Sequence, residues 1–113
     1  MDMVHEVGDA VNDEILSQAD EWYAAALADY LPALDAGELR TLGALWLAFR
    51  AGATYIPNES LCEMMGLSEP TLVRARLSLV KRGLIAPRQA WRFTGRMRRR
   101  VTEYTPRLRE EAR

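Results

Sequence analysis

The stretch Pro57-Asn58-Glu59-Ser60-Leu61-Cys62-Glu63-Met64-Met65-Gly66-Leu67-Ser68-Glu69-Pro70-Thr71-Leu72 decides the fold. Asn58 offers an N-cap to a short helix over about residues 59–65, which turns Leu61, Cys62 and Met65 inward. Gly66 permits the left-handed residue that ends it. Leu67 plugs the core and Ser68 caps a second helix. Pro70 is tolerated there because first-turn amides need no intrahelical partner. This helix runs to about Arg82, with Leu72, Ala75, Leu79 and Val80 inward, and Gly83 stops it. Cys62 reads as a small core thiol.

Working back, Asp35 is an N-cap with Glu38 three positions later, the spacing of a capping box, and Leu34 and Leu39 stand where a hydrophobic staple would place them. The helix that follows carries a core stripe of Leu39, Leu42, Leu45, Trp46 and Phe49 and ends near Gly52. Thr54-Tyr55-Ile56 is short and β-prone. Further back, Ile15, Ala19, Trp22 and Ala26 recur at helical spacing, flanked by Leu16, Tyr23, Leu27, Tyr30 and Leu31. An amphipathic helix is predicted over 13–31, closed by Pro32, after a weakly periodic lead-in over 1–12. Working forward, Leu84 to about Arg92 and Arg96 to Tyr104 read as two strands joined at Phe93-Thr94-Gly95. Pro87 leaves the first strand a free edge. The register stays open, since Met97/Arg99/Val101 and Arg96/Arg98/Arg100/Tyr104 would face opposite sides and both sets hold apolar members.

Charge is divided along the chain. Residues 1–40 hold ten acids and one base, net −9, whereas residues 41–113 hold fourteen bases and six acids, net +8. Between Arg74 and Arg109 stand twelve bases and one acid, Glu103. Such asymmetry points to an anionic partner for the basic part, or to attraction between the halves. The 113 residues, 49% of them apolar, suit one domain with an added segment. No apolar run is long enough to span a membrane and no signal peptide is expected, so a cytoplasmic location is anticipated. One cysteine excludes an internal disulfide, and Cys62 with the distant His5 makes no metal set. Neither a phosphate loop nor a nucleophile signature is present. No enzyme activity, metal or cofactor is expected.

The order helix, short strand, helix, tight turn, helix, β-hairpin resembles a winged helix-turn-helix. The Pro57–Leu72 stretch, with Leu79 and Gly83-Leu84-Ile85, is similar to that pattern in phage and plasmid replication proteins and in small bacterial transcriptional regulators. Tyr104 matches a tyrosine that often closes the wing, and the resemblance covers about 35–105. Cys62 stands where alanine is usual, and Arg76 where an apolar residue is usual. For Arg76, either the stem packs while the head reaches solvent, or Leu77 replaces it. The expected fold is mainly α with a small β-hairpin wing. An acidic N-terminal segment (1–34) precedes the winged domain (35–105), and a short C-terminal helix or tail (106–113) follows.

The resemblance implies a sequence-specific double-stranded DNA binder, most simply a repressor, with the helix over 69–82 in the major groove. Arg74 is the leading base reader, through bidentate contact with guanine. Ser68, Glu69, Thr71, Ser78 and Lys81 complete the helix set. Val73 and Leu77 either touch thymine methyls or face elsewhere. Arg88, Arg92, Arg96, Arg98, Arg99 and Arg100 would supply phosphate contacts, about half of them at once given strand alternation. Trp91 is either a plug or a ring lying on a sugar. The acidic helix either completes the core or pairs with its copy through Trp22, Tyr23, Leu27 and Tyr30, a homodimer being the expectation; masking of the basic face is a third role. The rival functions are a phage or plasmid replication or partition factor, and a protein-interaction module on the same fold.

Overall fold

The computed structural model describes residues 3–107, with side chains from Asp13 onward except that of Thr94. Four helices precede one hairpin. They are α1 (Met3–Tyr30), α2 (Ala36–Arg50), α3 (Asn58–Met65) and α4 (Glu69–Lys81), with a 3-10 turn at Leu31–Ala33 after α1. Strands β1 (Ile85–Thr94) and β2 (Met97–Pro106) pair antiparallel. The protein is thus mainly helical with a small two-stranded sheet.

α1 begins at Met3, ten residues before the predicted start. Periodicity is a poor guide there, because extending an existing helix costs little and needs no apolar stripe. Pro32 sits inside the 3-10 turn, where α-helical bonding has already ceased. The capping box forms as its spacing predicts. The Glu38 amide donates to Asp35 Oδ1 at 2.8 Å, and the Asp35 amide donates to Glu38 Oε1 at 3.1 Å.

The α3 cap differs from expectation. Asn58 is the first helical residue after Pro57, and its side chain instead accepts a bond from Arg76 Nη1 at 2.9 Å. Gly66 closes α3 at φ 65°, its amide donating to Cys62 O at 2.8 Å. Ser68 caps α4, as expected.

Two packed clusters hold these elements. α1 contributes Ala19, Trp22 and Ala26 to the larger one, against Leu42, Leu45 and Phe49 of α2, Leu79 of α4, and Leu84 and Ile85 at the hairpin root. The smaller joins Ala44 of α2, Leu61 and Met65 of α3, and Leu72 of α4. α2 and α4 also approach closely at Gly37, where an added Cβ would lie 3.3 Å from Thr71 Cγ2.

This placement corrects one expectation for α1. Trp22 was expected at a dimer face, yet it is 2% exposed. Its indole Nε1 donates to Leu84 O at 2.7 Å, and its ring meets Phe49 edge-on at 5.0 Å. A ring enclosed by its own chain offers no surface to a second copy. Tyr23, Leu27 and Tyr30 pack half-buried against the same cluster. Tyr23 stacks on Trp46 at 4.6 Å, and the Tyr30 hydroxyl donates to Arg82 O at 3.3 Å.

Thr54-Tyr55-Ile56 forms no strand. One backbone bond, from Tyr104 N to Thr54 O at 2.9 Å, ties it to β2. β2 extends to Pro106, and the Arg107 amide donates to Leu84 O at 3.0 Å, so the hairpin closes beyond residue 105. The C-terminal helix expected over 106–113 otherwise lies outside the described residues.

Candidate functional site

The open hairpin register is settled by the pairing. Ile85 faces Pro106 and Thr94 faces Met97, leaving Gly95-Arg96 as a two-residue turn. The three-residue turn expected at Phe93-Thr94-Gly95 is thus a two-residue one, and β1 runs on through Phe93 and Thr94. Gly95 takes φ 63° at its first position, a conformation that only glycine adopts readily. Alternation then sorts the side chains. Trp91, Phe93, Arg98, Arg100 and Tyr104 share one face, and Arg88, Arg92, Met97, Arg99 and Glu103 share the other.

Glu103 controls the second face. It is buried at the hairpin root and accepts from Arg88 Nη2 at 2.8 Å on one oxygen and from Arg92 Nη2 at 2.8 Å and Nε at 3.1 Å on the other. The Arg88 bond lowers its pKa most; burial works against this, and Arg92 adds to it. Arg92 also lies 5.2 Å over the Tyr55 ring. Two of the six hairpin arginines are therefore paired with Glu103, although both guanidinium groups stay exposed.

Toward the free end the balance reverses. Arg96, Arg98, Arg99 and Arg100 are all exposed. Arg98 lies 4.4 Å over Trp91. Arg96, Arg99 and Arg100 have no carboxylate partner among the described residues.

α4 presents a mixed stripe. Glu69, Pro70, Val73, Arg74, Leu77, Ser78 and Lys81 line a shallow groove along its outer side, and Leu77 is 55% exposed. Arg74 and Lys81 are exposed and without a carboxylate partner among the described residues. Of the two readings of Arg76, the first is the one observed. Its guanidinium packs 4.7 Å over Tyr104 and reaches Asn58, while Leu77 stays outside.

Three helix residues expected to face a ligand serve the fold instead. Ser68 Oγ accepts from Thr71 N at 3.4 Å and pairs with Thr71 Oγ1 at 2.9 Å, so both hydroxyls belong to the α4 cap. Ser78 is half-buried and donates to Glu38 Oε2 at 2.6 Å. Arg82 Nε reaches the same oxygen at 3.3 Å. Burial of Glu38 would raise its pKa. The bonds from Ser78, the Asp35 amide and Arg82, with the Arg82 charge, outweigh that and hold it below the ordinary glutamate value.

No known family, curated protein or solved structure matches the chain.

The structure thus brings Arg96, Arg98, Arg99 and Arg100 together at one end of the hairpin, and sets Arg74 and Lys81 on the outer side of α4. Half-buried Ser78 bonds to Glu38, and Arg88 and Arg92, both exposed, pair with Glu103. Two organising residues escape the sequence reading. Glu38 is visible there only as a cap, and Glu103 only as an exception in a basic run. That isolation was the available signal, since a lone acid among twelve bases is well placed to bind more than one of them.

Proposed function

We propose that the protein binds double-stranded DNA as a winged helix-turn-helix, with α4 in the major groove and the hairpin as its wing. The observation that carries this reading is the distribution of arginine along the hairpin. Arg88 and Arg92 share Glu103 toward the root, while Arg96, Arg99 and Arg100 stand exposed at the far end with no carboxylate partner among the described residues. Holding several like charges close together is unfavourable without an anion to share, and a phosphate backbone supplies a row of them. Arg74 and Lys81 extend the cationic surface onto α4. Promoter occlusion by the bound protein would make it a transcriptional repressor.

A protein-interaction role draws support from a different feature, the apolar stripe of exposed Pro70 and Leu77 with half-buried Val73 between them. Salt separates the two. For DNA binding that neutralises ~5 phosphates, log affinity should fall against log salt with a slope of about −4.5. Arg99→Ala with Arg100→Ala should weaken binding to all duplexes and reduce that slope by about 2. Arg74→Ala should cost roughly 1–3 kcal/mol on a selected site and relax its specificity. Fluorescence anisotropy on genomic fragments recovered by selection provides both readouts. Salt-independent binding, or none to any duplex in dilute buffer, would overturn the proposal.

A further inference from the structure

Three large apolar side chains crowd the free end of the hairpin. Phe93 is 76% exposed, Met97 67% and Trp91 56%. Trp91 is partly covered by the Arg98 guanidinium. Phe93 lies between Trp91 and the turn on the same face and has no ring or cation stacked on it among the described residues. Met97 projects from the opposite face, next to the turn. The protein core cannot use these residues, because the hairpin joins it at the other end through Ile85 and Tyr104. Phosphate contact does not account for them either, since it rewards charge alone.

The two-residue turn keeps the end narrow. A two-stranded ribbon is too wide to lie within the ~6 Å minor groove of B-DNA, so only side chains at its tip enter there. An occupant that fits this end must offer anions around an apolar interior. A base-pair stack between two phosphate rails does so.

We propose that the hairpin end is a wedge. Phe93, with Met97 on the other side, enters the minor groove and inserts partly between base pairs, while Arg96, Arg99 and Arg100 hold the flanking phosphates, so that the duplex kinks. This rests on the DNA-binding reading above and adds deformation to it. Sites with a flexible pyrimidine–purine step beneath the wedge are then favoured over stiff A-tracts, without any base-specific bond there.

The test uses the full chain and a duplex of about 30 bp with donor and acceptor dyes at its ends, centred on a TA step. Anisotropy reads binding and energy transfer reads bending. The wild type should bind and raise the transfer, as expected for a kink of ~20–90°. Phe93→Ala and Met97→Ala alter exposed positions and should leave the far-UV circular dichroism unchanged. They should retain affinity within about threefold, because phosphate contacts supply most of it, yet lose most of the gain in transfer. Binding without a transfer change, or bending by both variants equal to wild type, would overturn the wedge and leave the DNA-binding reading standing. An anisotropy that never moves would overturn that reading and the wedge with it. Co-sedimentation with phosphatidylserine vesicles that is lost in Phe93→Ala, with DNA bending unchanged, would reassign the apolar end to a lipid surface and overturn the wedge.

Discussion

Glu38 shows how one side chain serves two elements. One carboxylate oxygen closes the capping box of α2, and the other receives Ser78 and Arg82 from α4. Removing a hydrogen-bonded buried partner leaves the remaining groups unsatisfied, so Ser78→Ala should cost about 1–3 kcal/mol of stability in chemical denaturation. Glu38 and Glu103 both have folded-state pKa values below the ordinary one. Their contribution is therefore complete above the unfolded glutamate value. It declines as pH falls through the lower folded values. Thermal melts between neutral pH and pH ~3 should show this acid loss, and Glu38→Gln with Glu103→Gln should flatten it. Half of the Glu38 role was legible, because a cap is a spacing of three residues. The other half spans 40 and 44 residues to Ser78 and Arg82, and no local pattern encodes it.

At the scale of elements, α1 and the hairpin behave differently. α1 is fastened by Trp22, so Trp22→Ala should lower stability by about 3–5 kcal/mol, measured by denaturant titration. A loss below about 1 kcal/mol would mean that the ring is not enclosed as described. The hairpin is held at its root by Glu103. Freeing its two arginines with Glu103→Gln should tighten binding to random-sequence duplex and steepen the salt slope toward two further phosphates, while making the hairpin less stable. Unchanged affinity would show that Arg88 and Arg92 cannot reach the backbone. Both strands were legible from composition and the glycine, but the expected turn was Phe93-Thr94-Gly95 and the observed one is Gly95-Arg96. A three-residue loop ending on Gly95 and a two-residue loop beginning on it both use its positive φ. Cross-strand pairing decides between them, and a one-residue slip would exchange the faces that carry Glu103 and Trp91.

For the whole molecule, the charge division along the chain is answered in part across the two halves and in part within the basic one. Asp20 of α1 meets Arg50 of α2 at 3.4 Å and also accepts from Trp46 Nε1 at 2.8 Å. Arg82 serves Glu38, and the hairpin root serves its own Glu103. Deleting residues 1–34 removes four buried residues of the larger cluster, Ala19, Trp22, Ala26 and Leu34, and should abolish cooperative melting of the remainder. A fragment that still melts cooperatively would make α1 a dispensable appendage. The sequence by itself determined the presence of the helices, the caps of α2 and α4, the hairpin and the basic run, because these follow from spacings of a few residues and from composition. Only the tertiary structure decided where α1 begins, which arginines pair with a carboxylate, that Trp22 faces inward, and which apolar side chains stand bare at the hairpin end. Those outcomes depend on partners far apart in the chain, whose meeting is set by packing and register.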